Sequence, residues 1–359
     1  MCDWKGLLNW SLKYQDGTHP SQFKEMSKED REFIEKAFES VTLNEMKEIW
    51  KILDTIKTPE GNSEKEISER IELLELMSNY IDGPENARNI VRGKRFNEII
   101  SHFFEAKNKK IKIEFGRIIT QMTQNDGFIQ KAAMNEGIFK FLEELNETND
   151  QDLINMYIYL LTGILYGDEC DVRKHFIENL DGIILLFNLL IKQEKNYKNE
   201  KRLLNIFNDL TKINDNNAKK EMEENRQMAL KKMKEIKMEN KFLNLMSEFK
   251  YDNKKNIDII HVIFDDIINI LELYENNNSQ IFDRIKEMNK EIMESKELND
   301  DEKKEEKMFL IHVIKRIKER QNYLNSNSNN NYNNNNNNEN NKEIKLIGGK
   351  ESMRIELKK

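Results

Sequence analysis

The sequence predicts an all-α fold, and three observations carry that expectation. Only three prolines and thirteen glycines interrupt 359 residues, so little stands in the way of helices. Apolar residues recur at alternating spacings of three and four over long stretches, the period of one helix face. The same apolar pattern then returns after successive glycines at a nearly fixed interval, which marks stacked repeats that cannot bury their stripes alone.

Composition narrows the function classes. With 38% hydrophobic and 34% charged residues the chain can bury a sizeable core. The formal net charge of -7 comes from interspersed Lys and Glu, without the one-sided basic footprint of a nucleic-acid binder. Cys2 and Cys170 have no metal-ligand or CxxC spacing, which fits a reducing compartment. The N-terminus lacks a basic region followed by an apolar run, and no segment reaches the roughly 20 apolar residues of a membrane span. The expectation is a monomer in the cytosol, with the nucleus as a second location, and with neither membrane nor nucleic-acid partners.

In chain order, Trp4, Leu7, Leu8, Trp10 and Leu12 outline a short amphipathic helix ending at Asp16-Gly17-Thr18-His19-Pro20. It is too short to hold alone in water, so it either caps the first repeat or is presented to a partner. Ser27 and Asp30 form a capping pair that opens a helix through Phe38, and a further helix carries Met46, Ile49, Trp50 and Leu53. Thr58-Pro59 ends it. Ser63 with Glu66 is a second capping box, and the helix it opens runs to Asp82-Gly83-Pro84.

From here the repeat is visible. Phe96, Ile99, Ile100 and Phe103 follow Gly93; Ile138, Phe141, Leu142 and Leu145 follow Gly137; Ile183, Leu186, Phe187 and Leu190 follow Gly182. The stripes begin 42 and 45 residues apart, inside the range of about 40 to 47 for HEAT and armadillo arrays. Phe242 opens a fourth stripe 59 residues on, so extra chain lies between. That insert, near residues 214–241, is rich in Lys, Glu and Met and reads as a solvated helical extension. Ile111 to Leu145 reads as one complete three-helix unit, and a long helix precedes each glycine unit: Ile111 to Met122, Ile154 to Leu165, Leu203 to Leu210 and Ile260 to Leu271. Gly137 is expected in the left-handed conformation.

The expected architecture is an armadillo/HEAT-like right-handed α-solenoid of about four three-helix repeats, with helical extensions at both ends. An N-terminal helical segment, partly mobile, takes residues 1–62 and the repeat domain 63–275. Two capping helices take 276–323, the second with Met308, Ile311, Ile314 and Ile317 inward, and an Asn-rich disordered tail takes 324–359.

Catalytic signals are sparse. His19, His102, His175, His261 and His312 are scattered, with no HExxH, and there is no GxSxG or phosphate-cradling glycine loop. Neighbouring carboxylates such as Asp265-Asp266 point to different helix faces and read as solvated surface. Neither an enzyme nor a cofactor is expected.

Leu7-Leu8-Asn9-Trp10-Ser11-Leu12, Asp16-Gly17-Thr18, Pro20 and Met26-Ser27-Lys28-Glu29-Asp30-Arg31 resemble the N-terminal signature of the armadillo-type nucleotide exchange factors of seventy-kilodalton heat-shock (DnaK-type) chaperones. Thr123-Gln124-Asn125, Ile129-Gln130 and Gly137 look like that family's second repeat, and Asp181-Gly182 like its third. The resemblance covers about Leu7 to Thr211. Asp82-Gly83-Pro84 replaces the family's Asp-Asn-Ala-type turn. Lys112 and Lys201 match a basic residue often found early in its long helices, where the intervening repeat has Met156 and Tyr157.

The resemblance implies a co-chaperone that grips the ATPase domain of a cytosolic heat-shock chaperone and promotes ADP release, aiding client release. The expected partner-binding residues are Glu75, Asn79, Arg117, Gln121, Gln124, Asn125, Lys201, Asn205 and Asn208, with Gln124, Asn125 and Lys201 at equivalent ends of successive long helices. The alternative is a general armadillo adaptor holding an extended peptide in its groove. Such grooves typically use Trp and Asn ladders on the long helices, and Trp4, Trp10 and Trp50 lie outside the repeats.

Overall fold

The computed structural model describes residues 27–167, 169–193, 196–212, 220–251, 254–274, 278–331, 344–349 and 352–357. The expected N-terminal helix at Trp4 to Leu12 lies outside them. The chain divides into two compact units, Met1–Val172 and Arg173–Lys359.

In the first unit, α1 (Lys28–Ile56) opens on Ser27, whose hydroxyl accepts the Asp30 N–H. Where two helices were expected there is one, since no proline or glycine between Phe38 and Met46 forces a break. The Ser63–Glu66 capping box opens α2 (Glu64–Ile81) as read from the sequence. Gly83 and Pro84 then start α3 (Pro84–Arg92), proline taking a position whose N–H would be unbonded in any case. There follow α4 (Phe96–Glu105), α5 (Lys109–Thr123) and α6 (Gly127–Asn135). A 3-10 turn (Ile138–Lys140) leads into α7 (Phe141–Glu147), and α8 (Gln151–Leu165) closes the second repeat. Asn108, Asp126 and Asp150 cap α5, α6 and α8 with their side-chain oxygens.

The predicted stripes are the core: Ile111, Phe115, Ile118, Ile119 and Met122 on α5, and Ile138, Phe141, Leu142 and Leu145 beyond Gly137, are all buried. The long helices α2, α5 and α8 pack side by side. Gly116 and Gly163 let α5 and α8 approach closely. A Cβ at Gly163 would lie 3.0 Å from the Thr120 carbonyl, and one at Gly116 would lie 2.3 Å from Met156 Sδ.

The second unit repeats the pattern. The short helix α9 (Cys170–Lys174) straddles the unit boundary and continues as a π-helical turn (His175–Asn179), followed by α10 (Gly182–Lys192) and α11 (Tyr197–Thr211). The span from Cys170 to the left-handed Asp181 is one residue longer than the equivalent Gly127–Gly137, and the π turn absorbs that extra residue. The fourth repeat is α12 (Lys220–Glu235), α13 (Met238–Glu248) and α14 (Ile257–Asn269). The expectation of a solvated insert is corrected here. Asn225, Arg226, Ala229, Leu230 and Met233 of α12 are buried, and the helix packs on α10, α11 and α13 as the first helix of the repeat.

Beyond it, α15 (Asn278–Glu294) and α16 (Asp300–Asn331) pack on each other. On α16 the buried apolar residues are Leu310, Val313, Ile314 and Ile317, whereas Met308 is exposed, so the inward stripe is shifted from the one expected. The helix also runs past the expected boundary at residue 324. Strands β1 (Ile344–Gly349) and β2 (Ser352–Leu357) pair antiparallel, Ile344 opposite Leu357, where the sequence suggested no structure. The short alternation of Ile and Leu with Lys, Arg and Glu there has the period of a strand.

Two devices recur through both units. In each repeat the junction between its first two helices is left-handed: Lys94 (φ 56), Gly137 (φ 76), Asp181 (φ 47) and Lys237 (φ 53). Of the glycines read as stops, only Gly137 holds that conformation. Gly93 is needed instead because a Cβ there would meet the Trp50 ring and the Asn89 carbonyl at 3.1 Å, and Gly182 because the Phe176 ring would lie 2.3 Å away. A left-handed non-glycine residue costs about 1 to 2 kcal/mol. Lys237→Gly is therefore expected to raise unfolding free energy by about 1 kcal/mol, measured by urea titration, and a loss of stability would contradict the assignment.

The second device satisfies the last carbonyls of helices, which have no partner within the helix. Asn86 donates to Tyr80 O (2.8 Å), and Gln130 to Gly163 O (3.0 Å) and Tyr166 O (2.5 Å). Arg173 donates to Asp209 O (3.1 Å). Arg226 reaches both Thr211 O (3.0 Å) and Asn269 O (2.9 Å), while Arg284 reaches Met246 O (2.9 Å) and Phe249 O (3.0 Å). Cations at helix C-termini also complement the helix dipole.

Candidate partner-binding face

A face with work to do must be polar, exposed and held by a buried framework. In the first unit the long helices α2 and α5 meet those conditions, with α8 packed beside α5. On α2, Glu72, Glu75, Leu76 and Asn79 fall at spacings that share one stripe, and all are exposed. The neighbouring stripe on α5 carries Glu114, Arg117 and Gln121. Arg117 pairs with Glu114 at 2.8 Å. Gln121 is fixed across the two helices, accepting from the Ser78 hydroxyl at 2.6 Å and donating to the Ser78 carbonyl at 3.0 Å.

Of the residues expected from sequence, Glu75, Asn79, Arg117, Gln124 and Asn125 are thus exposed in one unit, while Gln121 is half-buried and structural. Gln124 caps α5, and Asn125 turns the chain in a left-handed conformation (φ 59) that asparagine tolerates. Lys112 is mostly buried, bonded to Glu144 at 2.7 Å and lying over the Phe103 ring, so it braces the repeat.

Lys201, Asn205 and Asn208 lie in the other unit on α11. Lys201 sits in the first half of its helix, whereas Gln124 and Asn125 follow the end of theirs, so the expected equivalence of position does not hold. Its ammonium pairs with Asp258 of α14 at 2.7 Å and holds that carboxyl below the usual range. Asn205 is exposed, and Asn208 accepts from Asn269 at 3.2 Å. Further cross-helix pairs follow on the same row of helices: His261–Glu306 at 2.8 Å, Asp265–Arg316 and Glu272–Arg320 at 2.7 Å. The apolar segment Trp4, Leu7, Leu8, Trp10 and Leu12 lies outside the described residues.

Sequence reading missed Glu72, Leu76 and Glu114. Their signal was the spacing from Glu75 and Arg117, but placing Glu114 beside Glu75 requires knowing that α2 and α5 are neighbours. Burial is the main force raising the Glu114 carboxyl above its ordinary range; Glu75 adds to it and Arg117 opposes it. Asp266, read as solvated, is fully buried with neither oxygen hydrogen-bonded among the described residues, and burial, then Asp265, pushes its carboxyl well above the usual range. Among the described residues no group of three or more His, Cys, Asp or Glu could hold a metal ion, and no helix is long and apolar enough to cross a membrane.

No protein-family model and no curated protein matches the sequence. Solved structures do match in shape. A designed armadillo repeat protein in complex with the peptide (KR)4 superposes with a TM-score of 0.52 at 11% identity, over 75% of this chain and 98% of that one. An engineered protein gives 0.51 at 13% identity, over 76% and 97%. Computationally designed armadillo repeat proteins for modular peptide recognition give 0.50 at 11% identity, over 76% and 98%. The fold is armadillo-like. At such identities the likeness speaks for the three-helix repeat and its packing alone, and the polar stripes described above are this chain's own.

Proposed function

We propose that this chain is a non-catalytic scaffold holding a partner protein on its long-helix faces. The partner is the ATPase domain of a cytosolic seventy-kilodalton heat-shock chaperone, whose ADP release it promotes. The observation that carries the scaffold reading is the row α2, α5 and α8, with Glu75, Asn79 and Arg117 exposed over a core that Gly116 and Gly163 pack tightly. The resemblance of Leu7 to Leu12 and of Met26 to Arg31 to the exchange-factor signature supports the choice of partner.

That activity has an energetic requirement. A partner that binds open and closed ATPase domains equally shifts nothing. Weakening ADP by a thousandfold requires binding the opened form about 4 kcal/mol more tightly, and ADP then expels the scaffold by the same factor. A close-packed helix row resists bending, so the partner is what deforms.

The second reading, an adaptor for an extended peptide, is favoured by the designed relative that holds (KR)4. Capture from cytosol on the immobilised chain separates the two. The expected result is retention of the chaperone, lost on adding ADP; retention of unrelated proteins insensitive to ADP supports the adaptor.

A further inference from the structure

Charges on the long helices are largely matched across helices, as where Lys109 of α5 meets Asp150 and Asp152 in the first unit. In the second unit, charges projecting from α11 and α14 are matched across helices, Lys201 with Asp258 and Asp265 with Arg316, and His261 hydrogen-bonds Glu306. On the first unit's face the balance is broken. Glu72 has only the Ser68 hydroxyl at 3.5 Å, Arg117 is engaged by Glu114, and no ion pair reaches Glu75 among the described residues. Leu76, 41% exposed, sits in the middle of this stripe. Among the described residues two of three carboxylates here therefore lack a cation, around an apolar side chain left partly exposed.

We infer that the α2–α5 face docks a lysine- or arginine-bearing segment of the partner protein, whose cations meet Glu72 and Glu75 and whose apolar part covers Leu76. This rests on reading that face as partner-binding and adds the chemistry of what it binds. Charge complementarity of this kind steers encounter and fixes register. An acidic or purely apolar segment would leave the two glutamates unmatched or desolvated.

The test uses the full chain and a short fluorescein-labelled peptide of Lys, Arg and one Leu, with a counterpart in which Glu replaces the cations. Fluorescence anisotropy is expected to show binding of the basic peptide alone, weakening steeply with salt. Glu72→Gln with Glu75→Gln should lower that affinity about tenfold or more and flatten the salt dependence, while Lys290→Gln on α15 changes neither. Circular dichroism checks that the variant folds, and both glutamates are exposed. Failure of the basic peptide to bind, equal binding of the acidic one, or full affinity in the double variant would overturn the inference. Titrating the chaperone's ATPase domain against the same proteins keeps the two readings apart. Tight ATPase-domain binding that ignores both substitutions rejects this docking chemistry and spares the exchange-factor reading. Glutamate-dependent peptide binding without ATPase-domain binding does the reverse.

Discussion

Arg226→Ala is expected to destabilise the second unit by roughly 3 to 5 kcal/mol. The guanidinium is buried, and through it α12 holds the ends of two long helices, at Thr211 O and Asn269 O. It also meets Glu223 at 3.0 Å and Glu272 at 3.2 Å. Hydrogen bonds involving a charged group contribute about 1.5 to 3 kcal/mol each, and removing the donor leaves buried carbonyls unpaired. Glu272 keeps Arg320 and Glu223 is half-exposed, so the loss comes chiefly from the two carbonyls. Arg226→Lys should recover only part of it, because an ammonium cannot reproduce the planar fork. Urea titration measures both, and a loss under about 1 kcal/mol in the alanine variant would show that the contacts are incidental.

Asp266 is the opposite case, a residue whose removal should stabilise. Its carboxyl is buried without a hydrogen-bond partner among the described residues, and burial raises its folded-state pKa well above the unfolded one. Below about pH 4 both states are protonated and the group adds no pH dependence. As pH rises further the unfolded chain ionises while the buried group stays protonated. The unfolded state then binds fewer protons and stability falls with pH. Asp266→Asn should remove that slope, so that its advantage over the wild type grows from pH 4 to pH 7. Asp266→Leu, which also removes the unpaired polar atoms, should gain about 1 to 3 kcal/mol at pH 7. Wild type and Asp266→Asn with parallel stability profiles across that range would refute the account of this group.

Both residues show where sequence reading stops. The apolar stripes, the caps at Ser27 and Ser63, and the left-handed Gly137 were legible, since each depends on residues close in the chain. Arg226 was not, because α12 is held partly by hydrogen bonds to carbonyls far along the sequence, and hydrophobic periodicity does not register those. Asp266 follows another Asp on a helix and looks like surface until α13 and α16 are seen packed against α14. The glycine stops were found but misplaced by one residue, since Lys94 and Asp181 carry the left-handed turn while Gly93 and Gly182 make room for Trp50 and Phe176. At the candidate face, exposure of Glu75, Asn79 and Arg117 was legible from helix period. The pairing of Lys201 with Asp258 and the proximity of Glu75 to Glu114 were not, because both join neighbouring long helices.

On the reading we propose, this scaffold opens a chaperone's ATPase domain. Stopped-flow release of a fluorescent ADP analogue from a cytosolic seventy-kilodalton heat-shock chaperone, chased with ATP, tests it most directly. The account predicts that release accelerates with scaffold concentration and saturates, and that ADP weakens scaffold binding by the factor through which the scaffold weakens ADP. Release that stays at its spontaneous rate at saturating, folded scaffold would contradict it.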